Sequence, residues 1–140
     1  MLNFPQRLAL TVTLRLFEEQ LRQADAWLQD STETGILYRR ELRLSPARRA
    51  AARQVVDTAL HQIAAVTREF DLAAADYDPA AAIAGEMSVC WANLCDLRAD
   101  KMKRYGPVDP GLTQTLDPYM DRLADLALLL SAVVRDNPED

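Results

Sequence analysis

Hydrophobic residues recur at alternating steps of three and four along four segments of the chain, which is the spacing of one buried face of an α-helix. The pattern predicts helices at about residues 5–30, 46–70, 79–105 and 110–135. The stripes of the third and fourth helices are Ile83, Met87, Cys90, Leu94 and Leu97, and Leu112, Leu116, Tyr119, Leu123, Leu126, Leu130 and Val133. Four helices of similar length predict an all-α four-helix bundle in which residues 1–140 form a single domain.

Proline marks where several of these helices begin. It is favourable in the first helical turn, and a Ser or Asp before it caps the helix, as in Ser45-Pro46, Asp78-Pro79 and Asp109-Pro110. Pro118 instead falls inside the last stripe, where proline removes a backbone hydrogen bond and clashes with the preceding turn at a cost of about 3 kcal/mol. We therefore expect the last helix to be broken or kinked at Pro118.

The connection between the first two helices, residues 31–45, is longer than the others. Its length predicts a segment that crosses the bundle. Ile36, Leu37, Leu42 and Leu44 make it too apolar for a free loop. We expect these side chains to pack against the end of the bundle or against a partner chain.

Composition narrows the chemistry that the chain can perform. With one His and two Cys in 140 residues, a cluster of His and Cys metal ligands is nearly excluded. The four glycines form neither a P-loop nor a dinucleotide-binding motif, so we expect no cofactor, and enzymatic activity stays uncertain. Cys90 and Cys95 lie five positions apart on one helix, too far apart for a disulfide, and we expect them to fill the core.

Two apolar stretches bear on localisation. The stretch at residues 8–17 is interrupted by Arg15 and is followed by no small-residue cleavage site, so we expect no signal peptide. The apolar run at 127–134 is far shorter than the roughly 20 residues that cross a bilayer. We expect a soluble, cytoplasmic protein that has no membrane partner.

One segment departs from the acidic character of the chain. The formal net charge is −5, which argues against a dedicated nucleic-acid-binding protein. Arginines nevertheless crowd around the start of the second helix, with Ser45 as its cap: Arg39, Arg40, Arg43, Arg48, Arg49 and Arg53. A helix N-terminus flanked by arginines suits a phosphate, a nucleic-acid backbone or the acidic stretch of a partner. The alternative is that acidic groups of the same chain neutralise these arginines.

Several large side chains fall beside the stripes or point between helices. The residues that we assign to a pocket or an interface are Trp27, Tyr38, Met87, Trp91 and Tyr119. Tryptophan is enriched in contact hot spots, so exposed rings would mark an interface. A broad helical stripe that buries them at the flank of the bundle is the alternative interpretation.

These observations favour a small interaction or adaptor protein without catalytic activity. It would present a helix face and the arginine-rich helix start to a protein partner or to a second copy of itself, as a homodimer. An alternative is a small-ligand sensor or enzyme with a pocket between helices. A third is a nucleic-acid accessory protein that binds through Arg39–Arg53.

Overall fold

The computed structural model of the chain describes residues 1–30, 32–74 and 76–135. Its helices are α1 (Phe4–Gln29), α2 (Pro46–Glu69), α3 (Ala80–Cys95) and α4 (Leu112–Arg135), and its strands are β1 (Thr32–Thr34) and β2 (Arg39–Glu41). Of the residues that the structure describes, 71% are helical, and the predicted all-α four-helix fold class is confirmed. The chain divides into two compact units, Met1–Ala75 and Asp76–Asp140.

Local sequence explains where α1 and α2 begin. Asn3 caps α1 by accepting a hydrogen bond from the Gln6 backbone N–H at 2.9 Å, and the Gln6 side chain accepts one from the Asn3 N–H at 3.0 Å. Ser45 caps α2, as predicted, and its hydroxyl accepts from the Arg48 backbone N–H at 3.2 Å. Proline occupies the first turn of both helices, where its missing N–H costs nothing.

Within the first unit, α1 and α2 pack as antiparallel neighbours. Arg7, near the start of α1, donates to the backbone carbonyl of Asp71 at 2.9 Å, just beyond the end of α2. Asp25, near the end of α1, pairs with Arg53 near the start of α2 at 3.5 Å. The core of this pair comprises Leu21, Leu28 and Val56, against which Leu42, Leu44, Ala52, Ala59, Leu60 and Ile63 pack.

The connection between α1 and α2 forms a β-hairpin, so the predicted crossing of the bundle is wrong. Strands β1 and β2 pair antiparallel, with Glu33 opposite Arg40, and the Gly35 N–H donates to the Tyr38 carbonyl at 2.8 Å. Leu42 and Leu44 pack on the core as expected. Ile36 and Leu37 do not, because they occupy the two turn positions at the hairpin tip, where they are 101% and 95% exposed.

Within the second unit, α3 and α4 are also antiparallel and meet through small side chains. The Ser131 hydroxyl donates to the Ala84 carbonyl at 3.3 Å, which joins the start of α3 to the last turns of α4. Ala84 is 0% exposed, and Ala124, Ala127 and Ser131 are buried with it. Small residues at the contact let the two helix backbones approach closely.

The stripe predicted for α4 is not the contact face. Leu123, Leu126 and Leu130 are 44%, 40% and 43% exposed, whereas the residues one position later form the buried row. One position turns a helix by about 100°, so the leucines lie on the flank of the contact. On α3 the contact centres on Ala84 rather than on the predicted stripe, and Cys90 is exposed, so the expectation that it fills the core is wrong.

Asp117 explains why α3 is shorter than predicted. The helix ends at Cys95, ten residues before the predicted end, and a short 3₁₀ helix follows at Met102–Tyr105. The Ala99 N–H would continue α3 by donating four residues back, but it donates instead to the buried Asp117 carboxylate at 2.7 Å. Arg98 contacts the same carboxylate at 3.3 Å. A hydrogen bond to Asp121 raises the pKa of Arg98 above its ordinary value.

Helix α4 continues through Pro118, so of the two predicted alternatives, a break or a kink, the break is wrong. Proline leaves the Gln114 carbonyl without its helical donor, but this loss is confined to the first two turns of the helix. Asp117, the preceding residue, is held by Ala99 and Arg98. These contacts anchor the chain at the point where proline weakens the helix.

We predict that Asp117→Ala lowers the free energy of unfolding by about 1–3 kcal/mol, because it leaves the Ala99 N–H without its acceptor. Asp117→Asn retains an acceptor oxygen and should lose less. Urea unfolding followed by circular dichroism measures the difference. The exposed Asp125→Ala serves as control, with an expected change within about 0.5 kcal/mol. Equal losses for Asp117→Ala and Asp125→Ala would contradict the role of Asp117.

The small-residue contact of the second unit predicts a different response on two faces of α3. Ala84→Leu should lower the free energy of unfolding by about 1–3 kcal/mol, because added methylenes force apart a close contact. Ala82→Leu, on an exposed position of the same helix, should change it by less than about 0.5 kcal/mol. Thermal unfolding of both variants tests this contact, which a tolerated Ala84→Leu would refute.

Candidate binding surface

The predicted arginines lie in the first unit, along the chain from β2 to the first turns of α2. Arg39 and Arg40 are on β2, Arg43 follows it, and three more are on α2: Arg48, Arg49 and Arg53. We call this set, with the Ser45 cap, the arginine-rich surface. Residues 36–53 contain six arginines and one acidic residue, a formal charge of +5 in a chain of net charge −5.

Arg40 fastens the hairpin to the end of α1. Its guanidinium pairs with Glu33 on the opposite strand at 2.7 Å and lies 5.1 Å from the ring centre of Trp27 and 5.6 Å from that of Tyr38. The Tyr38 hydroxyl also donates to Glu33, at 3.1 Å. An ion pair combined with cation–π contacts holds this side chain in one orientation. Arg40 therefore stabilises the fold of the hairpin.

Side chains of the extended segment after Tyr38 alternate between two sides. Arg40, Leu42 and Leu44 face the core of the first unit, where Arg40 contacts Trp27 and the two leucines pack against the core. Successive side chains of an extended chain point in opposite directions. Arg39 and Arg43, both exposed, therefore lie on the outer side of the same segment.

Four arginines of the surface form no ion pair with any described residue: Arg39, Arg43, Arg48 and Arg49. Within the described chain, Glu33 thus neutralises Arg40 and Asp25 neutralises Arg53. The Nε of Arg49 is buried and has no hydrogen-bond partner among the residues that the structure describes. This part of the chain therefore offers guanidinium groups whose hydrogen-bonding capacity is unused.

The start of α2 adds to the positive potential of this surface. Arg48 and Arg49 lie in or next to its first turn, which contains no acidic residue. The unpaired N–H groups of a helix N-terminus carry a partial positive charge, so cations there are unfavourable by a few tenths of a kcal/mol each. Arg49 and Arg53 also line a depression of about 280 Å³ beside Leu44 and Pro46. The local charge of this surface is therefore positive.

The other predicted site residues do not come together in one place. Trp27 and Tyr38 both contact Arg40 in the first unit, and Trp27 lines a cavity of about 200 Å³. Met87, Trp91 and Tyr119 lie on α3 and α4 in the second unit. Trp91 and Tyr119 are exposed.

Two acidic residues of this surface were missed by the sequence analysis, namely Glu33 and Asp25. Glu33 and Arg40 stand at equal distances from the turn at Ile36-Leu37, and opposite charges directly across two strands favour a hairpin. That symmetry is a signal that the sequence contains. The pairing of Asp25 with Arg53 depends on how α1 and α2 pack, and no local pattern indicates it.

The cavities give little support to a small-ligand site. The one between α1 and α2 has a volume of about 230 Å³ and is lined by residues such as Leu14, Ile63 and Leu72. Four cavities among the described residues have volumes of about 200, 230, 280 and 380 Å³, and only the last exceeds the roughly 300 Å³ at which the range typical of ligand pockets begins.

Within the described residues, no group of three or more His, Cys, Asp or Glu side chains is arranged to hold a metal ion. Across the same part of the chain, no helix combines the length and apolar character needed to span a bilayer. Comparison with protein-family models, with curated proteins and with solved structures gives no match to this chain. A functional assignment therefore rests on the chemistry of the arginine-rich surface.

We predict that Gly35→Ala disturbs the contacts of Arg40. A Cβ at Gly35 would lie 2.5 Å from a ring carbon of Tyr38, so the ring must shift, which disturbs its contacts with Glu33 and Arg40. The indole N–H signal of Trp27 in an NMR spectrum should shift as Arg40 is displaced.

Gly85→Ala is the matched control for Gly35→Ala. A Cβ at Gly85 meets nothing within 4 Å, and alanine in a helix is more stable than glycine by about 0.5–1 kcal/mol. This variant should leave the Trp27 signal unchanged and raise the unfolding temperature. An unchanged Trp27 signal in Gly35→Ala would contradict the description of the hairpin.

Proposed function

We propose that the protein is a non-catalytic interaction module whose arginine-rich surface binds an acidic segment of a partner protein. The observation that supports the proposal is the absence of ion pairs at four arginines, Arg39, Arg43, Arg48 and Arg49, among the residues that the structure describes. Arg40 and Arg53, by contrast, have carboxylate partners within the chain.

Free guanidinium groups are suited to carboxylates. Each presents several N–H donors in a planar arrangement that matches two carboxylate oxygens, and such charge-assisted hydrogen bonds are stronger than neutral ones. The exposed Arg39 and Arg43 provide separate contact points along an extended segment. Arg48 and Arg49 add two more beside a helix N-terminus. A short segment with several carboxylates can engage them together.

The charge distribution favours a short acidic segment over nucleic acid. Residues 36–53 carry +5, whereas the rest of the first unit, residues 1–35 and 54–75, carries a formal −4. A long polyanion would extend past the arginines and meet the negative charge of this unit, whereas an acidic peptide contacts the local surface alone. Nucleic-acid binding is therefore the competing outcome in the test below.

The groups of this surface support binding rather than catalysis. Arginine side chains bind anions but remain protonated, so they do not serve as general bases near neutral pH. The Ser45 hydroxyl is engaged in capping α2. We place the interaction in the cytoplasm, where the reducing environment keeps an exposed thiol such as Cys90 free.

We expect Arg48→Ala combined with Arg49→Ala to weaken the binding of a fluorescein-labelled decaglutamate peptide by about 5- to 10-fold, measured by anisotropy in 50 mM salt. This loss corresponds to about 0.5–0.7 kcal/mol for each of the two arginine–carboxylate pairs, within the usual range for pairs at a surface. The salt dependence of binding should fall as well, since fewer charges are neutralised.

Lys101→Ala combined with Lys103→Ala is the matched control, because it removes the same charge from the second unit. This variant should bind the peptide as the wild type does. Equal weakening in the two double variants would show attraction by net charge and refute a specific surface. A duplex DNA probe that binds in preference to the peptide, and loses affinity only in the arginine variant, would favour the nucleic-acid alternative instead.

A further inference from the structure

The tip of the hairpin carries two large apolar side chains that the fold does not use. Ile36 and Leu37 stand between Gly35 and Tyr38 and are almost completely exposed. Two-residue hairpin turns favour Asn, Asp and Gly, so neither side chain is required by the turn. The hydrophobic effect opposes such exposure, which leaves the choice of these residues without an explanation in the folded unit.

Strand β2 also has an edge without a partner. The sheet contains only β1 and β2 among the described residues, so each strand pairs on one side. Gly35 and Tyr38 form a hydrogen-bonded pair, and such pairs alternate with pairs that are not hydrogen-bonded to each other. The pair of Glu33 with Arg40 is therefore bonded, whereas the backbone groups of Arg39 and Glu41 point to the free edge.

The charge at this edge is positive. Arg39, Glu41 and Arg43 lie on the outer side of the extended segment, which leaves a net positive charge there, and the two arginines have no ion pair with described residues. A strand that pairs with the edge would place every second side chain on that side. Its carboxylates would meet the two arginines, which are four positions apart, and its backbone would satisfy the free groups of β2.

We propose that the acidic partner segment binds as an added β-strand along the free edge of β2 and places a large apolar residue against Ile36 and Leu37. This inference rests on the proposed function, since it uses the same acidic segment. It specifies the recognition mode, strand addition, in which backbone hydrogen bonds supply affinity and alternate side chains supply specificity. The partner segment is extended and combines carboxylates with aliphatic or aromatic side chains.

Two labelled peptides test the apolar requirement: a decapeptide that alternates Glu with Leu, and one that alternates Glu with Ser. We expect the Glu/Leu peptide to bind the wild-type protein about tenfold more tightly by anisotropy. Ile36→Ser combined with Leu37→Ser should abolish this preference. The affinity for the Glu/Ser peptide depends on the arginine-rich surface, so it should be the same in this variant as in the wild type.

Val89→Ser combined with Leu129→Ser is the control, because it replaces two exposed aliphatic residues elsewhere in the chain. This variant should retain the preference for the Glu/Leu peptide. Circular dichroism should show that both double variants are folded, since all four side chains are exposed.

Strand addition has its own readout. A Glu/Leu peptide whose alternate amides are N-methylated cannot complete a β-ladder, so it should bind at least tenfold more weakly than the unmodified peptide. Equal binding of the methylated and unmodified peptides would overturn strand addition.

The outcomes separate the two proposals. If Arg48→Ala with Arg49→Ala binds both peptides as the wild type does, the proposed function fails. If the Arg48/Arg49 variant binds more weakly but the wild type binds the two peptides equally, strand addition with an apolar contact fails and the proposed function stands. The same conclusion follows if the variant with Ile36→Ser and Leu37→Ser still prefers the Glu/Leu peptide. A third outcome is that the protein binds vesicles of phosphatidylserine and phosphatidylcholine only when Ile36 and Leu37 are present, and binds the two peptides with equal affinity. This outcome would overturn peptide strand addition and would indicate that the hairpin tip binds a lipid surface.

Discussion

The guanidinium of Arg40 joins β1, β2 and the end of α1, and the exposure of the neighbouring arginines depends on this contact. It pairs with Glu33 across the strands and lies over the rings of Trp27 and Tyr38. Because side chains alternate along an extended chain, an inward Arg40 requires Arg39 to point outward. The same alternation places Leu42 and Leu44 on the core and Arg43 in solvent.

The arginines of this surface thus form two groups, those that stabilise the fold and those that the proposed interaction uses. Arg40 and Arg53 connect elements of the unit to one another through carboxylates of the chain. Arg48 and Arg49 oppose the dipole of α2, and the Ser45 cap offsets part of that cost, since such a cap contributes about 1 kcal/mol. Positive charge that the fold does not neutralise is the physical basis of the proposed interaction with an acidic partner.

The second unit shows how one buried carboxylate and a row of small residues determine the packing of two helices. Asp117 takes the Ala99 N–H that would have extended α3 and binds Arg98, which stabilises the start of α4 around Pro118. Ala84 and Ala127 bring the helices close enough for the Ser131 hydroxyl to reach a carbonyl of α3. Close approach of the backbones leaves the leucines of α4 at the flank of the contact.

The starts of α1 and α2, the helical character of all four segments and the cluster of arginines can be recognised from the amino-acid order. These features arise from interactions within three or four residues, such as the Ser45 cap, proline in a first turn and helical periodicity. Three other features can be recognised only in the folded structure. Glu33 meets Arg40 across a turn, α3 ends because of a residue eighteen positions beyond Ala99, and α4 is rotated by about one position from its leucine stripe. Each of these depends on groups that are distant along the chain and adjacent in space, and local patterns do not encode such distances.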